Sequence, residues 1–256
     1  MRIAAVMLAA AAGLLSLATA AQVGKKIAVL SLIGDQFLIV AHEAEIGTRV
    51  NRDRVDVVEL PERAVDGAVA LDMQRVIKGV DGAAEVVMLG PTRGLYAAQG
   101  NITEMPDVSQ VVAVVKPSLE KAGIGRLVLI TKLRHDAVLR LADGNVGSGK
   151  LEGAGFYLDQ DLATMERGEG KAGRGFIAPF AYFRVSLVDV ASGKVLGYRD
   201  VIASNAVVAG NSPSLQVWEA LSAGQKVHMI RQLIDTEGGE AVRQLLAKPQ
   251  ETALGK

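Results

Sequence analysis

The sequence predicts a mixed α/β protein of the α+β kind: a partly antiparallel sheet, helices packed on it, and a helical segment at the C-terminal end. Three observations carry this. Short β-branched apolar runs recur along the chain but do not alternate strictly with helical patterns. Phe180 to Val190 (FAYFRVSLVDV) alternates with period two, and the turn Ala191-Ser192-Gly193 returns the chain through Lys194 to Ala203. Val227, Ile230 and Ile234 then form a stripe at helical spacing.

Taken in order, Lys25 to Ile33 (KKIAVLSLI) reads as a buried strand, and Gly34-Asp35 as a turn. Phe37 to His42 follows as a second strand, the hairpin partner of the first. Val55 to Leu60 is a third strand, stopped by Pro61. Val65, Val69, Met73 and Val76 predict a helix over 64–80 with one buried face. Val86 to Leu89 is short and apolar. Asp107 is placed to cap a helix carrying Val111, Val112 and Val115, which Pro117 would strain and Gly123 to Gly125 would end. Arg126 to Leu133 is the clearest strand of the first half, and Val138 to Leu141 continues it after a break at His135-Asp136. Leu151 to Leu158 reads as a strand. Asp159 to Gly175 is polar and glycine-rich and reads as a long mobile loop. In the strand from Phe180, Phe183, Val185 and Leu187 share one side, and Tyr182, Arg184 and Ser186 the other, the pattern of half burial. Ser214 would cap a helix beginning at Leu215 and bearing Trp218 and Leu221. Gly238-Gly239 would break the helical stripe, leaving Ala241 to Ala247 as a last short helix and a frayed tail from Lys248.

The first residues form an export signal. Arg2 precedes the apolar run Ile3 to Leu15, and small residues follow to Ala18-Thr19-Ala20-Ala21, with cleavage expected near Ala20 or Ala21. The organisation expected is a signal peptide over 1–21, then a single mature domain over 22–256 in the periplasm. The chain holds 28 basic and 28 acidic residues, so loss of Arg2 leaves one net negative charge. That balance provides no basic face for nucleic acid. No later segment is long and apolar enough to predict a membrane span. With no cysteine, there is no lipoprotein anchor, thiol catalysis, thiolate zinc site or iron–sulfur cluster.

Gly144 to Lys150 (GNVGSGK) approaches a phosphate-binding loop, but Leu151 stands where Ser or Thr would hold magnesium, and a strand follows instead of a helix. Gly34-Asp35 resembles the start of a GDS-type esterase, yet Gln36 replaces the nucleophile. His42, His135 and His228 share no metal-ligand spacing, so no metal or cofactor is expected. Asp159 and Asp161 lack the calcium-loop pattern and read as solvated surface carboxylates. Most of the Phe and Tyr residues, including Tyr157 and Tyr182, flank the loop. They read first as core and second as a binding surface.

The hairpin Val185 to Leu196 (VSLVDVASGKVL), with the opening strand Ile27-Ala28-Val29-Leu30, is similar to bacterial envelope accessory proteins of the curli-secretion and penicillin-binding-protein-activator type. The chain also resembles uncharacterised exported proteins of proteobacteria. The lipoprotein cysteine of the accessory proteins is missing here, as is the helix expected after the first strand, and no functional residue carries over. The expectation is a non-enzymatic periplasmic protein that binds an envelope partner or small ligand, with Tyr157, Asp159, Asp161 and Tyr182 as binding candidates. The alternative is a periplasmic hydrolase using His135 and Asp136.

Overall fold

The computed structural model describes residues 26–42, 53–61, 64–141, 144–165, 172–208 and 217–247. The expected signal segment, Ser214, Leu215 and the tail from Lys248 lie outside them. The chain forms β1 (Lys26–Leu32), β2 (Gln36–His42), β3 (Arg54–Glu59), α1 (Ala64–Val80), β4 (Glu85–Leu89), α2 (Arg93–Ala98) and α3 (Ser109–Lys121). It continues as β5 (Arg126–Lys132), β6 (Arg134–Asp136), β7 (Leu139–Leu141), β8 (Gly144–Val146), β9 (Lys150–Met165) and β10 (Ala172–Asp189). It closes with β11 (Val195–Ser204), β12 (Val207–Val208), a 3-10 turn at Val217–Ala220 and α4 (Ala223–Ala247). The fold is α+β, with a mixed sheet of order β3-β2-β9-β10-β5-β1-β4.

The long strand β10 is the spine of this sheet. One of its edges pairs antiparallel first with β9, from Ala172↔Met165 to Tyr182↔Gly153, and then with β5, from Phe183↔Lys132 to Asp189↔Arg126. Its other edge pairs with β12 and β11. Two sub-sheets therefore hang from one strand: parallel β5-β1-β4, and β9-β2-β3, in which β2 and β9 run parallel. Beyond Leu133, β6 pairs with the start of β9.

β1 and β2 are not a hairpin. Both edges of β1 are already occupied, by β4 and β5, so β2 leaves it and pairs with β3 and β9. The close approach of β2 to β9 needs Gly155, since a Cβ there would lie 2.0 Å from the Leu38 carbonyl oxygen. β3 is an exposed edge whose Arg54, Asp56 and Glu59 are interspersed among three valines, a charge pattern that discourages further pairing.

The sheet is covered on both faces, which is why β10 is buried on both sides, not half-buried. Phe183, Val185 and Leu187 join a core with α1 and α4. On the opposite face, Ala28, Leu30 and Leu32 pack against α2 and α3, while Phe180 and Tyr182 sit with Tyr157 and Phe176 under the β7–β8 ribbon. Arg184 and Ser186 are also buried. Arg184 is held there by Asp200 on β11, which accepts two hydrogen bonds, at 2.5 and 2.8 Å, and by the Tyr198 ring, which stacks on its guanidinium at 3.9 Å.

Three further expectations change. The segment read as a loop from Asp159 to Gly175 is strand at both ends, with β9 reaching Met165 and β10 starting at Ala172, and residues 166–171 lie outside the described residues. α4 runs unbroken through Gly238-Gly239, where the helix needs small residues: a Cβ on Gly238 would meet the Phe183 ring at 3.3 Å, and one on Gly239 would meet Val76 at 3.2 Å. α3 continues through Pro117, which lies on its solvent side, where water can serve the Ala113 carbonyl deprived of its partner. The Asp107 carboxylate accepts from Ser109 N–H at 2.9 Å, although Val108 holds the N-cap position, and the hydrogen bonds from Ser109 lower its pKa. α2 had no counterpart in the sequence reading. Its one signal is Thr92, whose side chain accepts from Leu95 N–H.

Candidate functional site

Two helices and one strand build an apolar groove on the α1–α4 face. α1 contributes Val65, Ala68, Val69 and Asp72, and α4 contributes Val227, Ile230, Arg231 and Ile234, each set at i, i+3, i+4 and i+7. Phe37 on β2, Leu60 after β3 and Ala64 complete the lining. The groove holds about 300 Å³, at the small end of ligand sites. Its chemistry is aliphatic apart from one aromatic ring and two charged residues. Phe37 meets Phe156 edge-on at 6.4 Å, and Phe156 in turn meets Trp218 at 5.3 Å. The only tryptophan of the chain is thus two ring contacts from the groove.

Asp72 is the buried charge of this face. It pairs with Arg75 one turn further along α1 and lies 3.6 Å from the Arg231 guanidinium on α4. A second, more open groove lies beside it, lined by Asp72, Arg75, Val76, Gly79, Val80, Asp235 and Arg243.

The ends of the parallel strands β1 and β4 are a second place where α/β sheets commonly bind ligands, because connections leave there towards opposite faces. Here the crevice is filled by the protein itself. Asp66, in the first turn of α1, accepts from Ser31 Oγ at 2.5 Å, from Ile33 N–H at 3.0 Å, from Gly34 N–H at 3.1 Å and from the Tyr96 hydroxyl on α2. Burial raises its pKa and outweighs those hydrogen bonds, which act to lower it. The carboxylate occupies the backbone donors that an anionic ligand would need. Next to it, Asp35 pairs with buried Lys132 at 2.7 Å, so the Gly34-Asp35 turn is an ion-paired corner of the sheet.

The residues singled out from the sequence are scattered. His135 and Asp136 lie together on β6, but they do not form a dyad. His135 Nδ1 contacts the Asp136 backbone carbonyl oxygen at 3.0 Å, while the Asp136 carboxylate pairs with Lys150 at 3.0 Å and its pKa is held down by that ammonium. Lys150, the last residue of the glycine-rich GNVGSGK stretch, pairs with Glu104 and opens β9, not a helix. Tyr182 is buried, its hydroxyl accepting from Val138 N–H at 2.8 Å and donating to the Val138 carbonyl at 3.2 Å. Tyr157 is buried too, and burial raises its pKa. Asp159 is buried on β9, in register with His42 and Phe176, and is not a solvated surface carboxylate. The side chain of Asp161 lies outside the described residues. The aromatic cluster is core.

One polar group was not visible in the sequence. His42, Asp53, Ser148 and Tyr157 converge from distant segments. His42 Nδ1 lies 2.9 Å from Asp53 Oδ1 and 3.1 Å from Ser148 Oγ, and Ser148 Oγ lies 3.2 Å from the Tyr157 hydroxyl. The residue types are those of a hydrolytic triad, but the geometry is different. A triad sets the acid and the nucleophile on opposite ring nitrogens, so that one nitrogen is oriented while the other takes the proton. Here both meet the same Nδ1. One ring nitrogen cannot both donate to Asp53 and accept from Ser148. The cluster ties the end of β2 to the loop before β9. Among the described residues, no three His, Asp or Glu side chains come together as a metal site. No protein-family model matches the chain, and no curated protein matches it in sequence.

Proposed function

We propose that this chain is an exported, non-enzymatic periplasmic protein that binds a small apolar ligand in the groove between α1 and α4. The observation that carries this reading is the groove itself: a surface cleft of about 300 Å³ along the α1–α4 seam whose lining is apolar apart from Asp72 and Arg231. Export is supported by Arg2, the apolar run after it and Ala18-Thr19-Ala20. The similarity of the β10–β11 hairpin to envelope accessory proteins points the same way. Among the described residues, no helix is long and apolar enough to cross a membrane. The hydrolase alternative gains no support from His135 and Asp136, whose partners are a backbone carbonyl and a lysine.

The test is uptake of Nile red, a neutral apolar dye that brightens out of water, by protein expressed from the whole sequence. Ala68→Trp fills the groove, and Val227→Asp places a charge on its exposed rim. Both variants should bind several-fold less dye than the parent while keeping its circular dichroism spectrum. Dye uptake that is absent from the parent, or equal in all three proteins, overturns the reading.

A further inference from the structure

The charges at the mouth of the groove assign a chemical class to its ligand, an inference that rests on the proposed binding role. We infer that the groove takes a single-chain aliphatic carboxylate, its tail along the α1–α4 seam and its head on Arg231. Asp72 is buried and hydrogen-bonds Arg75, which neutralises it within α1. Arg231 approaches the same carboxylate only to 3.6 Å, beyond hydrogen-bond distance, and more than half of its side chain is exposed. Its guanidinium therefore stands at the groove mouth with donors that Asp72 does not use. In the groove itself the charged lining is Asp72 and Arg231, and Asp72 already accepts from Arg75.

The exposed Arg231 guanidinium suits a monoanion, because a planar carboxylate fits a guanidinium through two parallel hydrogen bonds. The volume is suited to one chain, not the two of a phospholipid. An alkylammonium head would be repelled by Arg231, and an alcohol would gain only the tail contacts. The groove thus discriminates by the sign of the head group, while the accessible lining of Phe37, Leu60, Val65 and Val227 supplies apolar burial common to all such ligands.

The experiment titrates protein expressed from the whole sequence with decanoate, decanol and decylammonium below their aggregation concentrations. Trp218 emission is the readout, checked by calorimetry. Decanoate is expected to bind about tenfold more tightly than decanol, with decylammonium weakest, from one charge-assisted head-group contact. Arg231→Gln should remove that tenfold advantage and leave decanol affinity unchanged. Arg243→Gln, on the second groove, should leave all three affinities as they were. Equal binding of the three ligands, or no effect of Arg231→Gln, overturns the carboxylate assignment and leaves the apolar groove standing. Binding of none of the three overturns both.

Discussion

Asp66 shows how a single side chain substitutes for a ligand. It lies where connections of the parallel strands diverge, and it takes up the backbone donors of Ile33 and Gly34 together with the hydroxyls of Ser31 and Tyr96. Because burial raises its pKa on folding, the native state holds more proton than the unfolded chain between the ordinary carboxylate range and the raised value. Its contribution to stability is therefore fully present below that range and declines as pH rises through the folded pKa. Asp66→Asn removes the titration. The stability of the parent relative to Asp66→Asn should fall with rising pH across that window, as read from urea unfolding at several pH values, and a constant difference would refute the assignment. None of this was legible in the sequence, where Asp66 is one acid in a helical first turn and its partners lie some 30 residues away on either side. The same holds for His42, Asp53 and Ser148, since pattern reading follows neighbours along the chain and these meet only through the sheet.

Helix α4 shows why residue type alone misplaces an element boundary. Two adjacent glycines are poor helix formers, and in isolation they would favour a break of about 1 kcal/mol each. In place they are the point where α4 crosses β10 and α1, and a side chain on Gly238 would crowd the Phe183 ring. Gly238→Val should cost about 2 kcal/mol or more through overpacking. Gly67→Ala, in α1 with nothing within 4 Å of the added carbon, should stabilise by about 0.5–1 kcal/mol from helix propensity. Thermal or urea melts of the two variants decide the matter by sign. Other elements were legible for a plain reason. The 64–80 helix, the 126–132 strand and the β10–β11 hairpin each have a local period that agrees with the face they bury. The groove residues were visible as well, as the stripes Val65-Val69 and Val227-Ile230-Ile234. Only the cleft left at the outer edge of their seam was hidden.

At the level of the whole molecule, stability runs through the strand that both sub-sheets share. Gly155→Ala, which drives a methyl group into the Leu38 carbonyl, should detach the β2–β3 hairpin from β9. Amide exchange would rise along Gln36–Glu59 and stay low in β1 and β5 if the two sub-sheets are separable through β10. A uniform rise would show that they are not. Chain order adds a consequence. β1, β4 and β5 are complete by residue 132, yet the strand that closes the free edge of β5 spans 172–189. An emerging polypeptide therefore waits until β10, some 40 to 60 residues beyond β5, has been synthesised before it can lock β1, β4 and β5 into place. Contacts of such long sequence separation assemble slowly. Under the proposed export, such late assembly would keep the early segments threadable during transport.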